Sequence, residues 1–504
     1  MSGQKPSIPS LTSLAAFSHE FRTPLNGVLG MAQLLESTRL TAEQRAYVAV
    51  LRESGDHLLT LVNDLLDLAK LESGQLELSP APMDPADLLR SVCELLSPRA
   101  HAKGLEVAWA APAGIPHVLA DESRLRQVML NLAGNAIKFT DAGGAFLTVR
   151  QTAAKAGRVI LRFSVEDTGP GVALADQDRI FEAFAQGRDH AHRADSTGLG
   201  LTVVSRLAES HDGRVGVDST PGKGAIFWFE ARFDLAAKPQ SAPSLVGQTV
   251  VIATQNSVLA RAAKAQVEAY GGQALVCPGL AEAEFAGGED AVVLVDYALG
   301  RGEGLEPLTN APCLILVAPE ERVAIGDHRA AGFEGYLIKP LRAASLAARV
   351  LTVKGKAPPA AAKDERAQAE TAPGARVLLV EDHPVNALLA RKLLEREGCS
   401  VDWVTTGEMA LTAANAGHDL ILMDRRLPGL DGPETARRLR AAGVACPIVA
   451  LTADAFDDDR RLCLGAGMDD FIVKPLEPMA LRAVLSRLVA RRWTKPKGNA
   501  KLAS

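Results

Sequence analysis

The sequence has few cysteines, and they form neither a metal-binding pattern nor a disulfide framework. Cys93, Cys277, Cys313, Cys399, Cys446 and Cys463 are scattered through 504 residues, form no CxxC pair and mostly lie in apolar surroundings. This pattern favours reduced cysteines packed in protein cores over a disulfide or zinc scaffold. We therefore predict a cytoplasmic location.

Long apolar segments and a strong net charge are also missing. No run approaches the roughly 18 apolar residues of a membrane span, and the start, MSGQKPSIPSLTSLAAFSHE, lacks the regions of a signal peptide. A net charge of -5, with 23% charged residues, gives no reason to expect nucleic acid or an acidic membrane as a partner. We predict neither partner.

The length predicts a multidomain protein, since one domain takes about 150 residues. Residues 11–36 and 43–72 carry apolar side chains at alternating steps of three and four, which is typical of a helical hairpin with a coiled-coil seam. One hairpin leaves part of its apolar stripe exposed, so a homodimer with a four-helix bundle is predicted. Residues 77–234 mix helical and strand patterns with glycine-rich turns and predict an α/β domain.

The rest of the chain contains an internal duplication. Residues 247–352 contain the strand-like segments VVIAT, AVVLVD and CLILVA, and residues 376–491 repeat the order with RVLLVED, DLILMD and PIVALT. Both copies end in a strand followed by Lys-Pro. Each copy is typical of a doubly wound parallel sheet with its functional loops at the carboxyl ends of the strands.

The second copy places acidic residues at neighbouring strand ends, namely Glu381, Asp382 and Asp424. Two such charges about 4 Å apart repel by about 4 kcal/mol at an effective dielectric of about 20, so the cluster calls for a cation. Mg²⁺ fits because it prefers oxygen ligands. Asp424 can then attack a phosphoryl group, while Thr452 and Lys474 bind its oxygens.

The first copy has lost most of this chemistry. It keeps Asp296 and Lys339, but Thr254 and Gln255 replace the acidic pair and Ala318 replaces the threonine. One carboxylate gives little reason to hold Mg²⁺, so this domain is predicted not to accept phosphate. It is either a spacer or a regulator.

A histidine in the first helix, in FSHEFRTPLNG, is a candidate nucleophile. His19 comes one position after the seam residue Ser18, so its ring should lie beside the buried stripe. Glu20 can hold one ring nitrogen protonated while the other attacks phosphorus. Thr23 lies one turn further on the same face. A surface histidine without a function is the alternative when this motif is considered alone.

Residues 77–234 contain three segments suited to a nucleotide. In NLAGNAIKFT, the amides of Asn131 and Asn135 share a helix face and can bind Mg²⁺. Asn135 is the predicted ligand of the metal that accompanies ATP. Lys138 of the same segment can hold phosphate. In EDTGPGV, Asp167 can accept a hydrogen bond from an adenine amino group. Gly169 and Gly171 of the same segment allow close backbone approach. In STGLGL, Gly198 and Gly200 offer N–H groups ahead of a helix. Each segment alone could be an ordinary turn or cap.

Taken together, these motifs resemble the hybrid histidine kinases of two-component systems. The resemblance implies a multidomain α plus α/β fold, with a dimeric four-helix bundle, an α/β-sandwich ATP-binding domain of the GHKL or Bergerat type and two receiver-like domains. The predicted segments are the helical hairpin (11–76), the ATP-binding domain (77–234), the pseudo-receiver (247–352), the linker (353–375) and the receiver (376–491).

The resemblance also implies the reaction. His19 takes the γ-phosphoryl group of ATP with Glu20 assisting and Mg²⁺ present, Thr23 places water for dephosphorylation, and Asp424 receives the group from His19. A separate histidine phosphotransfer protein and a downstream response regulator are the implied partners. Two alternatives stay open, a net phosphatase of the same relay and a non-catalytic dimeric scaffold that binds nucleotide.

The order of domains, with no recognisable sensor, resembles hybrid kinases whose pseudo-receiver binds cyclic di-GMP. That likeness implies a ligand site at Arg322, Tyr336, Ile338 and Pro340, where a ring and a guanidinium can hold a purine. It further implies that the linker residues 364–366 latch the pseudo-receiver, although plain solvation also explains charges in a linker.

Overall fold

The computed structural model describes residues 24–25, 27–32, 35–36, 38–73, 78–155, 157–183, 198–236, 244–286, 288, 290–300, 305–308, 311–355, 374–414, 417–452, 462–474, 476 and 478–490. The chain divides into two compact units, one formed by Met1–Asn63 with Glu365–Ser504 and the other by Asp64–Asp364. Within the described residues, no helix combines the length and hydrophobicity that crossing a bilayer requires.

The helical hairpin consists of helical residues within 24–36 and the long helix α1 (Ala42–Glu72). A reciprocal capping box starts α1, because Thr41 Oγ1 accepts from Gln44 N and Gln44 Oε1 accepts from Thr41 N. Gly55 lets the two helices approach closely, since a Cβ there would lie 2.6 Å from Leu29 Cδ2.

Part of the predicted apolar seam lies on the surface of the single chain. The exposed members recur at intervals of seven residues, as expected for one side of a coiled-coil stripe. They are Val28 and Leu35 before the turn and Leu51, Leu58 and Leu65 in α1, all between 42% and 52% exposed.

The α/β domain that follows contains one seven-stranded sheet, ordered β1-β3-β7-β5-β4-β2 with β6 paired to β7. Its strands are β1 (Ala81–Met83), β2 (Glu106–Ala110), β3 (Val118–Ala120), β4 (Gly144–Lys155), β5 (Arg158–Asp167), β6 (Arg214–Ser219) and β7 (Ala225–Leu235). Its helices are α2 (Pro85–Ala102), α3 (Glu122–Phe139) and α4 (Gly200–Ser210), with a 3₁₀ turn at Arg179–Phe181. Alternate residues of β5, such as Leu161 and Phe163, point into the core against α3 and α4.

The first receiver-like domain has five parallel strands in the order β12-β11-β10-β8-β9. They are β8 (Thr249–Ala253), β9 (Gln273–Cys277), β10 (Ala291–Asp296), β11 (Cys313–Val317) and β12 (Gly335–Ile338). Its helical segments are α5 (Ser257–Ala269), α6 (Leu280–Ala286), α7 (Ile325–Ala330) and α8 (Ala343–Val353), with 3₁₀ turns at Tyr297–Gly300 and Pro319–Ala324.

The second receiver-like domain repeats that strand order, as β14-β13-β15-β16-β17. Its strands are β13 (Arg376–Val380), β14 (Ser400–Val404), β15 (Leu420–Asp424), β16 (Ile448–Thr452) and β17 (Asp470–Val473). Its helices are α9 (Pro384–Arg396), α10 (Gly407–Ala413), α11 (Gly432–Ala441) and α12 (Pro478–Leu485), followed by a π-helical turn at Ser486–Ala490. The predicted duplication of a parallel sheet is confirmed by this shared strand order. In both domains, apolar segments that are buried on both faces form the central strands. All six cysteines are free and buried, as predicted.

Candidate phosphotransfer sites

The three acidic residues of the second receiver-like domain meet at one edge of its sheet. Glu381 follows β13 and Asp424 ends the neighbouring strand β15, so the parallel register brings their side chains together. One carboxylate oxygen from each of Glu381, Asp382 and Asp424 lies within 4.8 Å of the others. Glu381 is 1% exposed, whereas Asp382 is exposed. These oxygens fit the preference of Mg²⁺ for hard ligands and leave one side open to solvent.

A lysine bridges two of these acids. Lys474 Nζ lies 2.5 Å from Glu381 Oε2 and 2.6 Å from Asp424 Oδ2. Burial opposes the charged form of Lys474, but the two carboxylates outweigh it and raise the pKa of the ammonium. Burial also raises the pKa of Glu381, and the charge of Asp424 adds to this effect while Lys474 opposes it. The three acids outnumber the ammonium, so the cluster retains negative charge for a cation.

Neighbouring residues complete the acidic site. Thr452 ends β16 beside Asp424 and is 4% exposed, which places it in the predicted position. Two further partners of Glu381 were not predicted from the sequence. Asn386 Nδ2 donates to Glu381 Oε1 at 2.9 Å, and Trp403 Nε1 donates to its backbone carbonyl at 2.9 Å.

The predicted adenine-binding residue ends a central strand of the α/β domain. Asp167 is 8% exposed, its Oδ1 accepts from Gly169 N at 2.9 Å, and burial raises the pKa of its carboxyl group. Gly171 has φ +75°, and a Cβ there would lie 2.6 Å from the Thr220 carbonyl oxygen. Beside this turn, the buried hydroxyl of Thr140 has no hydrogen-bond partner among the described residues. An unsatisfied polar atom next to a carboxylate fits the edge of a bound purine.

Two of the predicted phosphate-binding residues, Asn131 and Gly200, are in contact. Asn131 Nδ2 on α3 donates to the carbonyl of Gly200, the first residue of α4, at 3.2 Å. Gly198, with φ +67°, forms the turn just before α4. Asn135 follows Asn131 by one turn of α3 and is half-buried, and Lys138 Nζ lies 5.6 Å from the centre of the Phe139 ring.

The first receiver-like domain has a different site around its remaining acid. Asp296 is 1% exposed, and its Oδ2 accepts from Thr254 Oγ1 at 2.6 Å. Lys339 Nζ lies 3.2 Å from Asp296 Oδ1 and 3.0 Å from Oε2 of Glu106, which belongs to β2 of the α/β domain. Burial opposes the charged form of Lys339, but Glu106 and Asp296 outweigh it and raise the pKa of the ammonium. The contact with Glu106 was not predicted, since the two residues are 233 positions apart.

Three of the four predicted ligand positions lie on or after β12. Ile338 is 6% exposed, Pro340 is buried and Tyr336 is half-buried. The guanidinium of Arg349 on α8, a residue that the sequence did not single out, lies 5.0 Å from the centre of the Tyr336 ring. The backbone of Arg322 lies in a 3₁₀ turn, but its side chain is outside the described part of the chain.

Several predicted positions lie outside the described residues. They are His19, Glu20, Thr23 and the linker residues 364–366. Their roles stay predictions from the sequence.

Three family models match the chain. The histidine kinase-, DNA gyrase B- and HSP90-like ATPases match residues 120–235, and the response regulator receiver domain matches residues 377–486. The His Kinase A phospho-acceptor domain matches residues 11–74.

Individual proteins are similar to most of the chain, and a solved single domain is similar to part of it. The full-length structure of ShkA in complex with AMPPNP is 55% identical, covers 95% of this chain and 99% of that one, and has a TM-score of 0.63. The Rec1 structure of ShkA in complex with c-di-GMP is 46% identical over 22% of this chain and 95% of its own, with a TM-score of 0.21. Sensor protein GacS of Pseudomonas syringae pv. syringae is 34% identical over 95% of this chain and 55% of its own length. The chain therefore spans about half the length of the curated relatives it matches.

Proposed function

This chain belongs to the hybrid histidine kinases, as its motifs predicted, and we propose that it transfers the γ-phosphoryl group of ATP to His19 and then to Asp424. One observation carries the second transfer, the convergence of Glu381, Asp382 and Asp424 around Lys474. The domain limits predicted from the sequence are part of the proposal.

ATP binding is assigned to the pocket around Asp167. The carboxylate of Asp167 accepts the adenine amino group, and the tight turn through Gly169 and Gly171 brings the backbone close to the base. Asn131, Asn135 and Lys138 face the phosphates from α3, while the N–H groups near Gly198 and Gly200 face them from the start of α4. Asn135 would hold the Mg²⁺ that accompanies ATP, and this ion would supply positive charge at the transferring group. These residues chiefly position the γ-phosphoryl group for in-line attack by His19, which Glu20 assists.

The acidic cluster of the receiver is the proposed acceptor of the phosphoryl group from His19. Glu381, Asp382 and Asp424 would hold Mg²⁺, and the bound ion would supply positive charge that neutralises the incoming phosphoryl oxygens. The Asp424 carboxylate attacks phosphorus, and the bond between phosphorus and the His19 nitrogen breaks. The Lys474 ammonium and the Thr452 hydroxyl then bond to the phosphoryl oxygens.

Regulation is assigned to the pseudo-receiver. We propose that Asp296 does not accept phosphate, because no second acid of its own domain follows β8 to help hold Mg²⁺, and the Thr254 hydroxyl bonds Asp296 at the position of the missing carboxylate. Cyclic di-GMP is proposed as its ligand, with the Tyr336 ring stacking on guanine and Arg322, Ile338 and Pro340 around it. The ring beside a guanidinium supports this assignment, and Arg349 joins the proposed site. The latch at residues 364–366 stays part of this proposal.

Partners and location follow from the same assignment. The exposed stripe of the hairpin supports a homodimer. The phosphoryl group is proposed to leave Asp424 through a separate histidine phosphotransfer protein towards a response regulator. Six free, buried cysteines suit the reducing cytoplasm.

Incubation with γ-labelled ATP tests the proposed reaction. The wild type should carry label on both histidine and aspartate, His19→Ala should carry none, and Asp424→Asn should keep only the acid-labile phosphohistidine. Asp296→Asn serves as the matched control in the other receiver-like domain and should keep both labels. Label on the His19→Ala variant would contradict the proposal.

Calorimetry with cyclic di-GMP tests the ligand. Tyr336→Ala should weaken binding about 5- to 150-fold, because stacking on a base contributes about 1–3 kcal/mol. Tyr336→Phe keeps the ring and should bind like the wild type. Absence of binding to the wild type would remove the ligand and leave the kinase assignment intact.

A further inference from the structure

The pseudo-receiver packs against the α/β domain through its helix α5 and the edge strand β2. Ala108 and Ala110 of β2, together with Phe146, form a small apolar cluster with Val258 and Ala262 of α5. All five residues of β2 are buried although this strand lies at the edge of its sheet. The pseudo-receiver therefore covers an edge strand that would otherwise be open.

Polar contacts surround this apolar cluster. Gln266 Nε2 donates to the Trp109 carbonyl at 2.8 Å, and Arg342 binds both carboxylate oxygens of Glu94 at 2.7 and 3.0 Å. Most of these groups could occur in any interface. The contact at Lys339 differs, because it involves the remains of a phosphorylation site.

The two receiver-like domains use their lysine in parallel ways. In the receiver, Lys474 bridges Asp424 and Glu381, which belong to its own sheet. In the pseudo-receiver, Lys339 bridges Asp296 and Glu106, and Glu106 belongs to the α/β domain. Thr254 stands at the position that corresponds to Glu381 and donates to Asp296 instead.

The surroundings of Glu106 favour a charged carboxylate in this role. The residue is 6% exposed, and burial alone would raise its pKa. The nearby His101 imidazole, with Nε2 3.8 Å from Oε1, and the Lys339 ammonium outweigh burial and hold the pKa of Glu106 below its ordinary value. Removing either carboxylate leaves a buried ammonium with less compensating charge and is destabilising.

We infer that Glu106 replaces one of the two carboxylates that the pseudo-receiver lacks, the one that corresponds to Glu381, so that the former phosphorylation site is now a docking site for the ATP-binding domain of the same chain. Lys339 and Asp296 thereby hold two domains together. This gives their retention a physical reason in a domain that is proposed not to accept phosphate. The inference concerns docking and does not depend on phosphoryl transfer.

Hydrogen–deuterium exchange of the full chain tests this inference, read from peptides that cover residues 106–110 and 257–269. Lys339→Met leaves Glu106 buried without its cation and should raise exchange in both peptides about tenfold or more. Glu106→Gln should raise exchange in both peptides by less, because Lys339 still pairs with Asp296. In the double variant the increase should not exceed that of Lys339→Met, since the two residues act as one pair.

Lys264→Met is the matched control. Lys264 lies on α5 but is half-exposed and pairs only weakly with Glu268, at 3.8 Å, so exchange should stay at the wild-type level. If Lys339→Met also raises exchange in β10, residues 291–296, the pseudo-receiver has unfolded and the Glu106→Gln variant decides alone. Unchanged exchange in Glu106→Gln, or equal increases in the Lys264→Met control, would overturn the inference.

Discussion

At the scale of single residues, a difference of two carboxylates separates the two receiver-like domains. Asp424 has Glu381 and Asp382 beside it, whereas Asp296 has Thr254 and Gln255 at the corresponding positions. The hydroxyl of Thr254 satisfies one oxygen of Asp296, and a lysine satisfies the other. A metal ion has clustered negative charge to bind in the first case only.

Trp403 should report metal binding to the acidic cluster. Its indole N–H donates to the Glu381 backbone carbonyl, so a cation at the neighbouring carboxylate changes the surroundings of the ring. Titration of the full chain with Mg²⁺, without nucleotide, should give a saturable change in tryptophan fluorescence.

Two variants assign that signal. Trp403→Phe should abolish it, and Asp382→Asn should weaken the apparent affinity at least about tenfold, because one of three anionic ligands is lost. A signal that persists in Trp403→Phe would contradict this assignment.

Asp64 should make stability depend on pH. The residue is 6% exposed, and burial, with a smaller effect from Asp67, raises its pKa from 3.8 to about 6. The folded chain thus binds this proton more tightly than the unfolded chain. The stabilisation is complete below about pH 4 and is lost as the pH rises through about 6.

Asp64→Asn removes the carboxyl group whose ionisation lowers the stability of the folded chain as the pH rises through about 6. Calorimetry should show the variant stabilised by about 1–3 kcal/mol at pH 7.5 and unchanged near pH 4. Asp67→Asn is the control, because Asp67 binds Arg124 at 3.1 Å and its loss should destabilise the protein at pH 7.5. A destabilised Asp64→Asn at pH 7.5 would show that the carboxylate has a partner.

At the scale of elements, the turn after β5 shapes the proposed nucleotide site. Gly171 and Gly157 both have positive φ, of +75° and +79°, but only Gly171 also lies against another backbone segment. Gly171→Ala should weaken ATP binding at least about tenfold, since the new methyl group pushes the turn away from residue 220.

Gly157→Ala provides the matched comparison. It carries similar backbone strain, about 1 kcal/mol, with open space around the methyl group, and should bind ATP normally. Equal losses of affinity in both variants, measured by calorimetry, would show that strain alone explains the effect.

The helical hairpin is the second element with a measurable consequence. Leu51, Leu58 and Leu65 repeat every seven residues and are about half exposed in the single chain. Leu58→Glu places a charge in the proposed dimer seam and should shift the protein towards monomer in analytical ultracentrifugation. Thr60→Glu adds the same charge on the other side of the helix and should stay dimeric. A monomeric wild type would contradict the proposed bundle.

At the scale of the whole molecule, the features that could be predicted from the sequence are those that a local pattern of residue types determines. Five-residue apolar runs define the central strands of both receiver-like domains, and residues that follow neighbouring parallel strands must meet, so Glu381 and Asp424 could be paired in advance. The order of known motifs likewise identified the family.

The features that the sequence did not predict depend on contacts between distant segments of the chain. Glu106 begins a short strand and gives no local sign that it faces Lys339 from another domain. Arg349 comes from helix α8 and reaches the Tyr336 ring across the sheet edge, whereas only Arg322 was singled out. Such pairs are set by tertiary packing, which periodicity does not encode.

The central claim is that local charge decides which of the two domains accepts phosphate. Reduction of aspartyl phosphates with borohydride, followed by peptide mass spectrometry of the full chain after incubation with ATP and Mg²⁺, measures this directly. The account predicts reduced aspartate at position 424 and none at position 296. Modification at 296, or its absence at 424 in protein whose His19 is phosphorylated, would contradict it.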